Sequence, residues 1–190
     1  MFLIDFNMFD YPLRRGFADA NDYSYTVPMD FIIRDVVTGD MNEILTLNEA
    51  VVPAVNSIPI EDMHWFAKNA AYFRVAVADV RLAAFLIGLR PGVAYKSLNY
   101  RWFCNNYTDF GYIDRIAVAE HARRHGLATR MYDDFKTSLE GEVSIMTCEV
   151  NLHPPNDGSM RFHERYGFSQ VGSQLTEGGR KEVALMAKTL

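Results

Sequence analysis

The densest basic cluster of this chain, Arg123-Arg124-His125, stands directly before Gly126 in the stretch ARRHGLATRMYDDF. A strand-like run, YIDRIAV, precedes it, and an amphipathic run follows with Leu127, Met131, Phe135 and Leu139 on one stripe. The cluster therefore falls at the start of a helix, expected over 126–139. A helix start leaves several backbone N–H groups without partners and carries partial positive charge. Glycine lets an anion approach the backbone closely, and small Ala128 keeps the way clear. The pattern suits a pyrophosphate lying on Arg124, His125, Gly126, Leu127, Ala128 and Thr129, with Arg123, Arg124 and His125 adding charge. A basic helix entrance on a solvated surface is the competing account. Neither a Walker loop nor a G-x-G-x-x-G dinucleotide fingerprint is present.

Other residues suited to moving protons are scattered along the chain. His163, in NDGSMRFHERYGF, is of a type whose ordinary pKa, about 6.5, lets it hold or give a proton near neutral pH. Tyr166 lies one helical turn on and could substitute for it, though its place before Gly167 equally suits packing. Asp114 and Glu149 sit on neighbouring strand-like runs and are candidate bases. Asp114 beside Arg115 equally reads as a salt-bridged strand residue. Asn156 is either a ligand contact or an N-cap, and Asn151, at the end of its strand, lies where ligands collect in open α/β sheets. The chain has five histidines and two cysteines, Cys104 and Cys148, but neither H-E-x-x-H nor a Cys/His set. His121 and His125 fall in a turn, so no metal is expected.

The elements that must hold these residues follow from periodicity. FIIRDVV reads as a strand, then a helix over 38–55 capped by Thr38 or Asp40 and interrupted by Pro53, then a second short helix starting at Ser57 or Pro59. YFRVAVAD and RLAAFLIGLR read as a hairpin turning at Asp79-Val80. The aromatic segment VAYKSLNYRWFCNNYTDF reads as a long loop, with turn signals at Asn99 and Asn105-Asn106. After it strands and helices alternate: GYIDRIAV, the 126–139 helix, VSIMTCEVN, the short helix SMRFHERYG, and FSQVGSQL. EVALMAKTL closes the chain as a last strand. The expected fold is α/β (α+β), a mixed sheet with helices on its faces.

At 190 residues the chain is long enough for one domain with a sizeable core. The first 26 residues fit no clear period and read as an arm packed on the body, a dimer contact or a poorly ordered leader, so an N-terminal arm over 1–30 is expected before a domain over 31–190. They lack a basic leader and a small-residue cleavage site, so a cytoplasmic protein with free thiols is expected. The net charge of −5 argues against a general nucleic-acid binder. No apolar run is long enough to span a bilayer.

Arg123-x-x-Gly126-x-Ala128 after a strand ending in valine resembles motif A of the GNAT N-acetyltransferase superfamily, R/Q-x-x-G-x-G/A. Asn156, Ser159, His163, Gly167 and Phe168 resemble its motif B, N-x-x-A-x-x-x-Y-x-x-x-G-F, about 30 residues further on. The likeness covers residues 31–190, and LNEAVVPAV, YRWF and CEVNLHPPNDGS look like a branch of predicted bacterial acetyltransferases. It implies a GNAT fold: a mixed, mostly antiparallel sheet of about seven strands with one splayed parallel pair and about four flanking helices. It implies acetyl-CoA as co-substrate, its pantetheine arm between GYIDRIAV and SIMTCEVN, with Ile116, Ala117 and Val118 contributing backbone groups. The pyrophosphate would lie on residues 124–129, and Asn151, Asn156 and Ser159 would complete the contacts. Where the family has its usual tyrosine acid, this chain has His163, which would protonate or hydrogen-bond the CoA sulfur, or else merely pack beside the cofactor. Asn48 and Glu49 would line the acceptor pocket, with Tyr100, Trp102 and Phe103 as an aromatic wall. The implied acceptor is a small-molecule primary amine. A protein or peptide acceptor and a non-catalytic acyl-CoA-binding module are the alternatives, and a homodimer is possible.

Overall fold

The computed structural model describes residues 30–78 and 80–190. The arm expected over 1–30 lies outside the described residues, Asp30 excepted. Seven strands form one sheet: β1 (Ile32–Asp35), β2 (Tyr72–Ala78), β3 (Arg81–Leu89), β4 (Gly111–Val118), β5 (Ile145–His153), β6 (Ser169–Thr176) and β7 (Lys181–Thr189). Their order is β1-β2-β3-β4-β5-β7-β6. Every pairing is antiparallel except β4 with β5. The mixed sheet and the β2–β3 hairpin agree with the patterning.

Five α-helices cover the sheet: α1 (Met41–Ala50), α2 (Ile60–Asn69), α3 (Leu98–Asn106), α4 (Leu127–Ser138) and α5 (Asp157–Tyr166). Of the two expected caps before α1, Asp40 accepts the Val37 amide at 2.8 Å and also binds Arg34 through both carboxylate oxygens. Side chains alternate across each strand, so the buried run of β3 feeds two cores. Ala84 and Leu86 join the core under α4 and α5, while Phe85, Ile87 and Leu89 join the one with α1, α2 and α3.

The stripe expected on α4 is the buried one: Leu127, Met131, Phe135 and Leu139 are all within 2% of full burial. Phe135 presses on Gly88, where a Cβ would come within 2.5 Å of its ring. That close approach is why β3 carries a glycine there.

The expected long loop is the main correction to the sequence reading. Residues 98–106 form a helix, α3, which brings the α-helices of the described residues to five. Ser97 caps it by accepting the Tyr100 amide, and Tyr100 and Phe103 turn inward to fully buried positions. The Tyr100 hydroxyl accepts from the Val93 amide and donates to the Arg90 carbonyl, which closes the β3–α3 connection over the core.

Candidate active site

The pairing of β4 with β5 is short. Gly111 faces Met146, Tyr112 faces Thr147, Ile113 faces Cys148, and there it ends, although the strands run on to Val118 and His153. The cause sits on the other edge of β4. Ile87 of β3 faces Arg115 while Gly88 faces Ile113, so Asp114 is an extra, bulged residue. A bulge bends its strand and sharpens its twist, and here it turns β4 away from β5. The Ala119 amide bonds the Ala83 carbonyl. By the alternation of an antiparallel ladder, Ala117 and Arg115 also turn their peptide groups to β3. The peptide groups of Ile116 and Val118 therefore face the gap, where the Val118 carbonyl accepts from Arg123 Nε at 3.2 Å.

The gap opens at the start of α4. The first intrahelical bond there runs from the Arg130 amide to the Gly126 carbonyl at 3.1 Å, so the amides of Leu127, Ala128 and Thr129 precede the ladder. Gly126 holds φ +71°, and a Cβ on it would meet nothing within 4 Å. Glycine is required by the left-handed backbone, and the space beside the first turn is open. Arg124 is also left-handed, at φ +69°. Ile116, Ala117, Val118, Arg123, Arg124, Gly126, Leu127 and Ala128 line this part of the gap. Thr129 is exposed on the first turn, and His125 stands aside, its ring edge-on to Phe31. Open space at a helix start flanked by Arg123 and Arg124 fits an anion of pyrophosphate shape.

Deeper in, where the strands part, the gap widens into a cavity of about 260 Å³. Glu149 forms its inner wall. Its carboxylate accepts from the Tyr112 hydroxyl at 2.7 Å and from Asn99 Nδ2 at 2.9 Å. Burial, then the charge of Asp114, raise its pKa to about 7 against the hydrogen bonds that favour the anion. A carboxylate tuned there can take a proton near neutral pH.

Asp114 borders the same cavity but is bound to Arg115 Nε at 2.7 Å, and both side chains are nearly inaccessible. Burial opposes the Arg115 charge, yet Asp114 and Tyr95 hold its pKa above the ordinary value. Its guanidinium also donates to Asn48 Oδ1 at 2.9 Å and lies over the Phe66 ring. Asn48 is fully buried, with Nδ2 on the Asn56 carbonyl and on Glu49. This network fastens the α1–α2 connection to β4.

His163 lies between both parts of the gap. Its Nδ1 is 2.7 Å from the Ser159 carbonyl, which only accepts, so Nδ1 carries the proton. Nε2 then accepts from the Tyr132 hydroxyl at 2.8 Å. Burial lowers the imidazole pKa to about 4. Its one proton is spent on backbone and its second nitrogen is occupied, so His163 is neutral and not poised as a donor.

Tyr166 is not brought to the cavity. Its hydroxyl donates to Asp133 at 2.7 Å, and its ring stacks among Phe162 and Phe168. Asn151, Asn156 and Ser159 do line the cavity. Asn151 reaches the Pro53 and Ala54 carbonyls, and Asn156 caps α5 by accepting the Ser159 amide. The expected aromatic wall is absent from it: Tyr100 and Phe103 are core, and Trp102 packs near Gly172. Tyr95, Ser97, Leu98 and Asn99 line that side instead. Asn48 lies behind the cavity and Glu49 is exposed. Sequence reasoning passed over Tyr95, Asn99, Tyr112, Tyr132 and Lys181. Among the described residues, no three His, Cys, Asp or Glu side chains gather as a metal site, and no helix is long and apolar enough to cross a membrane.

A seven-stranded mixed sheet whose parallel pair parts beside a glycine-started helix defines the architectural class. The chain belongs to the acetyltransferase (GNAT) family, whose model matches residues 42–168. This is a family of acyltransferases that use acetyl-CoA as co-substrate. Among solved structures, the ribosomal-protein-S18-alanine N-acetyltransferase of Escherichia coli is similar at 16% identity. That match has a TM-score of 0.64 and covers 84% of this chain and 94% of that one. Arabidopsis thaliana NAA60, in complex with a bisubstrate analogue, is also 16% identical, with a TM-score of 0.68 over 84% and 98%. Ard1 of Thermoplasma volcanium is 18% identical, with a TM-score of 0.63 over 84% and 97%. At such identities the likeness shows the fold. By sequence, no curated protein matches the chain.

Proposed function

We propose that this protein transfers an acetyl group from acetyl-CoA to the primary amine of a small molecule by direct attack. The observation that carries the reading is the parting of β4 from β5 beyond Ile113 and Cys148, with a helix start at one end and Glu149 at the other. In this reading the amides of Leu127, Ala128 and Thr129, with Arg123 and Arg124, hold the pyrophosphate. The peptide groups of Ile116 and Val118 bind the pantetheine arm. Bound there, acetyl-CoA supplies the activated thioester carbonyl.

Glu149 takes the proton of the incoming ammonium, and the freed amine attacks the carbonyl. A backbone N–H on the open edge of β4 stabilises the oxyanion that forms. The adduct collapses as its C–S bond breaks, and the second proton on the nitrogen passes to the departing sulfur, so the products are the amide and the CoA thiol. His163 does not supply that proton here: it holds Tyr132 in the cavity wall. Tyr166 has no part, and Asp114 keeps Arg115 charged in place.

A cavity of about 260 Å³ favours a small acceptor over a polypeptide. Lys181 Nζ donates to Asn56 Oδ1 at 3.0 Å, which bridges the start of β7 to the α1–α2 connection across the mouth. A chain threaded between those elements would have to break the bridge. Cys104 and Cys148 are free thiols, in keeping with work in the reducing cytosol.

The test is release of CoA thiol from acetyl-CoA, followed with a panel of small primary amines and with short peptides bearing free N-termini. Turnover of small amines with little on peptides is expected. No release with any amine, or preference for peptides, would overturn the reading.

A further inference from the structure

The cavity is polar in a directional way. At its inner end stand the carboxylates of Glu149 and Asp114, the latter already paired with Arg115. At its mouth, where β6 turns into β7, stands Lys181, whose side chain is only 13% exposed. An ammonium has three donors, and Asn56 Oδ1 takes one of them. The carboxylate recorded beside it, Glu177, is 3.9 Å away on a side chain 45% exposed. A pair that loose and solvated contributes little. Lys181 therefore presents a largely sheltered charge that is not closely matched.

The turn carrying these residues is built with some effort. Glu177, Gly178 and Gly179 hold φ of +51°, +68° and +88° in succession. A non-glycine residue in the left-handed region costs energy, and such conformations cluster at functional sites. Here the turn sets both Glu177 and Lys181 on the cavity wall, with the exposed Arg180 on its outer rim.

We propose, on the acetyltransferase reading above, that the acceptor is an amino-acid-like molecule whose primary amine meets Glu149 and whose carboxylate or other anionic group binds Lys181. A neutral amine would leave the sheltered ammonium with only the loose, solvated Glu177 carboxylate beside it. A diamine would set a second cation against it. The two ends are electrostatically in touch, since the Lys181 charge favours the ionised form of Glu149. Lys181 is four positions along β7 from Leu185, the cross-strand neighbour of Glu149. That is roughly 13 Å of strand, shortened by the lysine stem, which suits an acceptor between an amino acid and a dipeptide in length.

The experiment compares kcat/KM for ω-amino carboxylic acids of increasing length, aminoalkyl phosphates, the matching carboxamides and diamines. The wild type should favour the anionic amines over the carboxamides by about tenfold to a hundredfold, the worth of one charge-assisted contact. Lys181→Met should erase that preference, chiefly through KM, and Lys181→Arg should retain it. Melting curves of both variants check the fold. Equal or better use of carboxamides or diamines by the wild type would overturn the inference while leaving acetyl transfer intact. So would a preference that survives in Lys181→Met. Absence of acetyl transfer to every amine would defeat the parent reading and this one together. The carboxylate and phosphate arms tell which anion the site takes.

Discussion

The Tyr132 hydroxyl donates to Nε2 of His163 at 2.8 Å, and this bond joins α4 to α5 inside the wall of the parted strands. It replaces a proton donor with a fixed, neutral pair. His163→Phe keeps an aromatic ring but leaves the Tyr132 hydroxyl buried without its acceptor, a loss of about 1–3 kcal/mol. Tyr132→Phe in the same background should restore part of it, and urea unfolding of the four proteins closes the cycle. The pH dependence of turnover between 6 and 9 should keep its shape in His163→Phe. A limb lost from that profile would return the histidine to acid catalysis.

The base should reveal itself in the same profile. With Glu149 raised to about 7, turnover should climb through neutral pH as its carboxylate forms. Glu149→Gln keeps one accepting oxygen, so only one of the Asn99 and Tyr112 bonds is retained, and it cannot take a proton. We expect the limb near pH 7 to vanish and kcat to fall by about 10²–10⁴. An unchanged limb would assign the ionisation elsewhere.

The same two residues set an unusual balance of stability against pH. Between about pH 4.5 and 6.5 the folded protein keeps His163 neutral and Glu149 protonated, whereas in the unfolded chain the histidine is charged and the glutamate ionised. The proton lost at one site is held at the other, so their contributions to the slope cancel. In Glu149→Gln only the depressed histidine remains. The unfolded state then binds the extra proton, and stability should rise with pH from about 4 to 6.5 by up to roughly 3 kcal/mol. In His163→Phe only the raised glutamate remains, and stability should fall as pH climbs from about 4.5 to 7. Urea midpoints measured at one-unit steps would show the opposite slopes.

Elements with a clean period were legible before any coordinates: the β2–β3 hairpin, the buried stripe of α4, and the glycine at its start. Helix α3 was hidden because its aromatic residues and paired asparagines mimic a loop. A signal was present, since Ser97 precedes Tyr100, Phe103, Cys104 and Tyr107 at helical spacing. The base could not be chosen from sequence. Glu149 owes its raised pKa to burial and to the charge of Asp114, against the hydrogen bonds from Tyr112 and Asn99, an environment that only the sheet and α3 assemble, while Asp114, the better-placed base on sequence, is tied to Arg115. The pocket's aromatic wall was misplaced for the same reason: α3 turns Tyr100 and Phe103 into the core and presents Asn99.

Gly126 separates conformation from packing. No atom stands within 4 Å of a Cβ there, while φ is +71°. Gly126→Ala should therefore destabilise by about 1 kcal/mol through backbone strain alone. Gly126→Asn, which tolerates the left-handed region better, should recover some of that stability. Calorimetry with CoA should show weaker binding in both, because either side chain projects into the open space beside the first amides of α4. Unaltered affinity would remove the anion from that turn.

Asp114 tests whether the ion pair or the proton matters. Asp114→Asn keeps an oxygen that can accept from Arg115 Nε but removes the counter-charge. The buried guanidinium is left with neutral acceptors only, that oxygen, Asn48 Oδ1 and the Asn56 carbonyl at 3.3 Å, which should cost about 3–5 kcal/mol. Arg115→Met in the same chain removes the stranded charge and should restore much of the melting temperature. Turnover of the folded protein should persist with its limb near pH 7 moved to lower pH, since the Asp114 charge that helps to raise Glu149 is gone. A variant that melted like the parent yet lost all turnover would make Asp114, rather than Glu149, the group that receives the amine's proton.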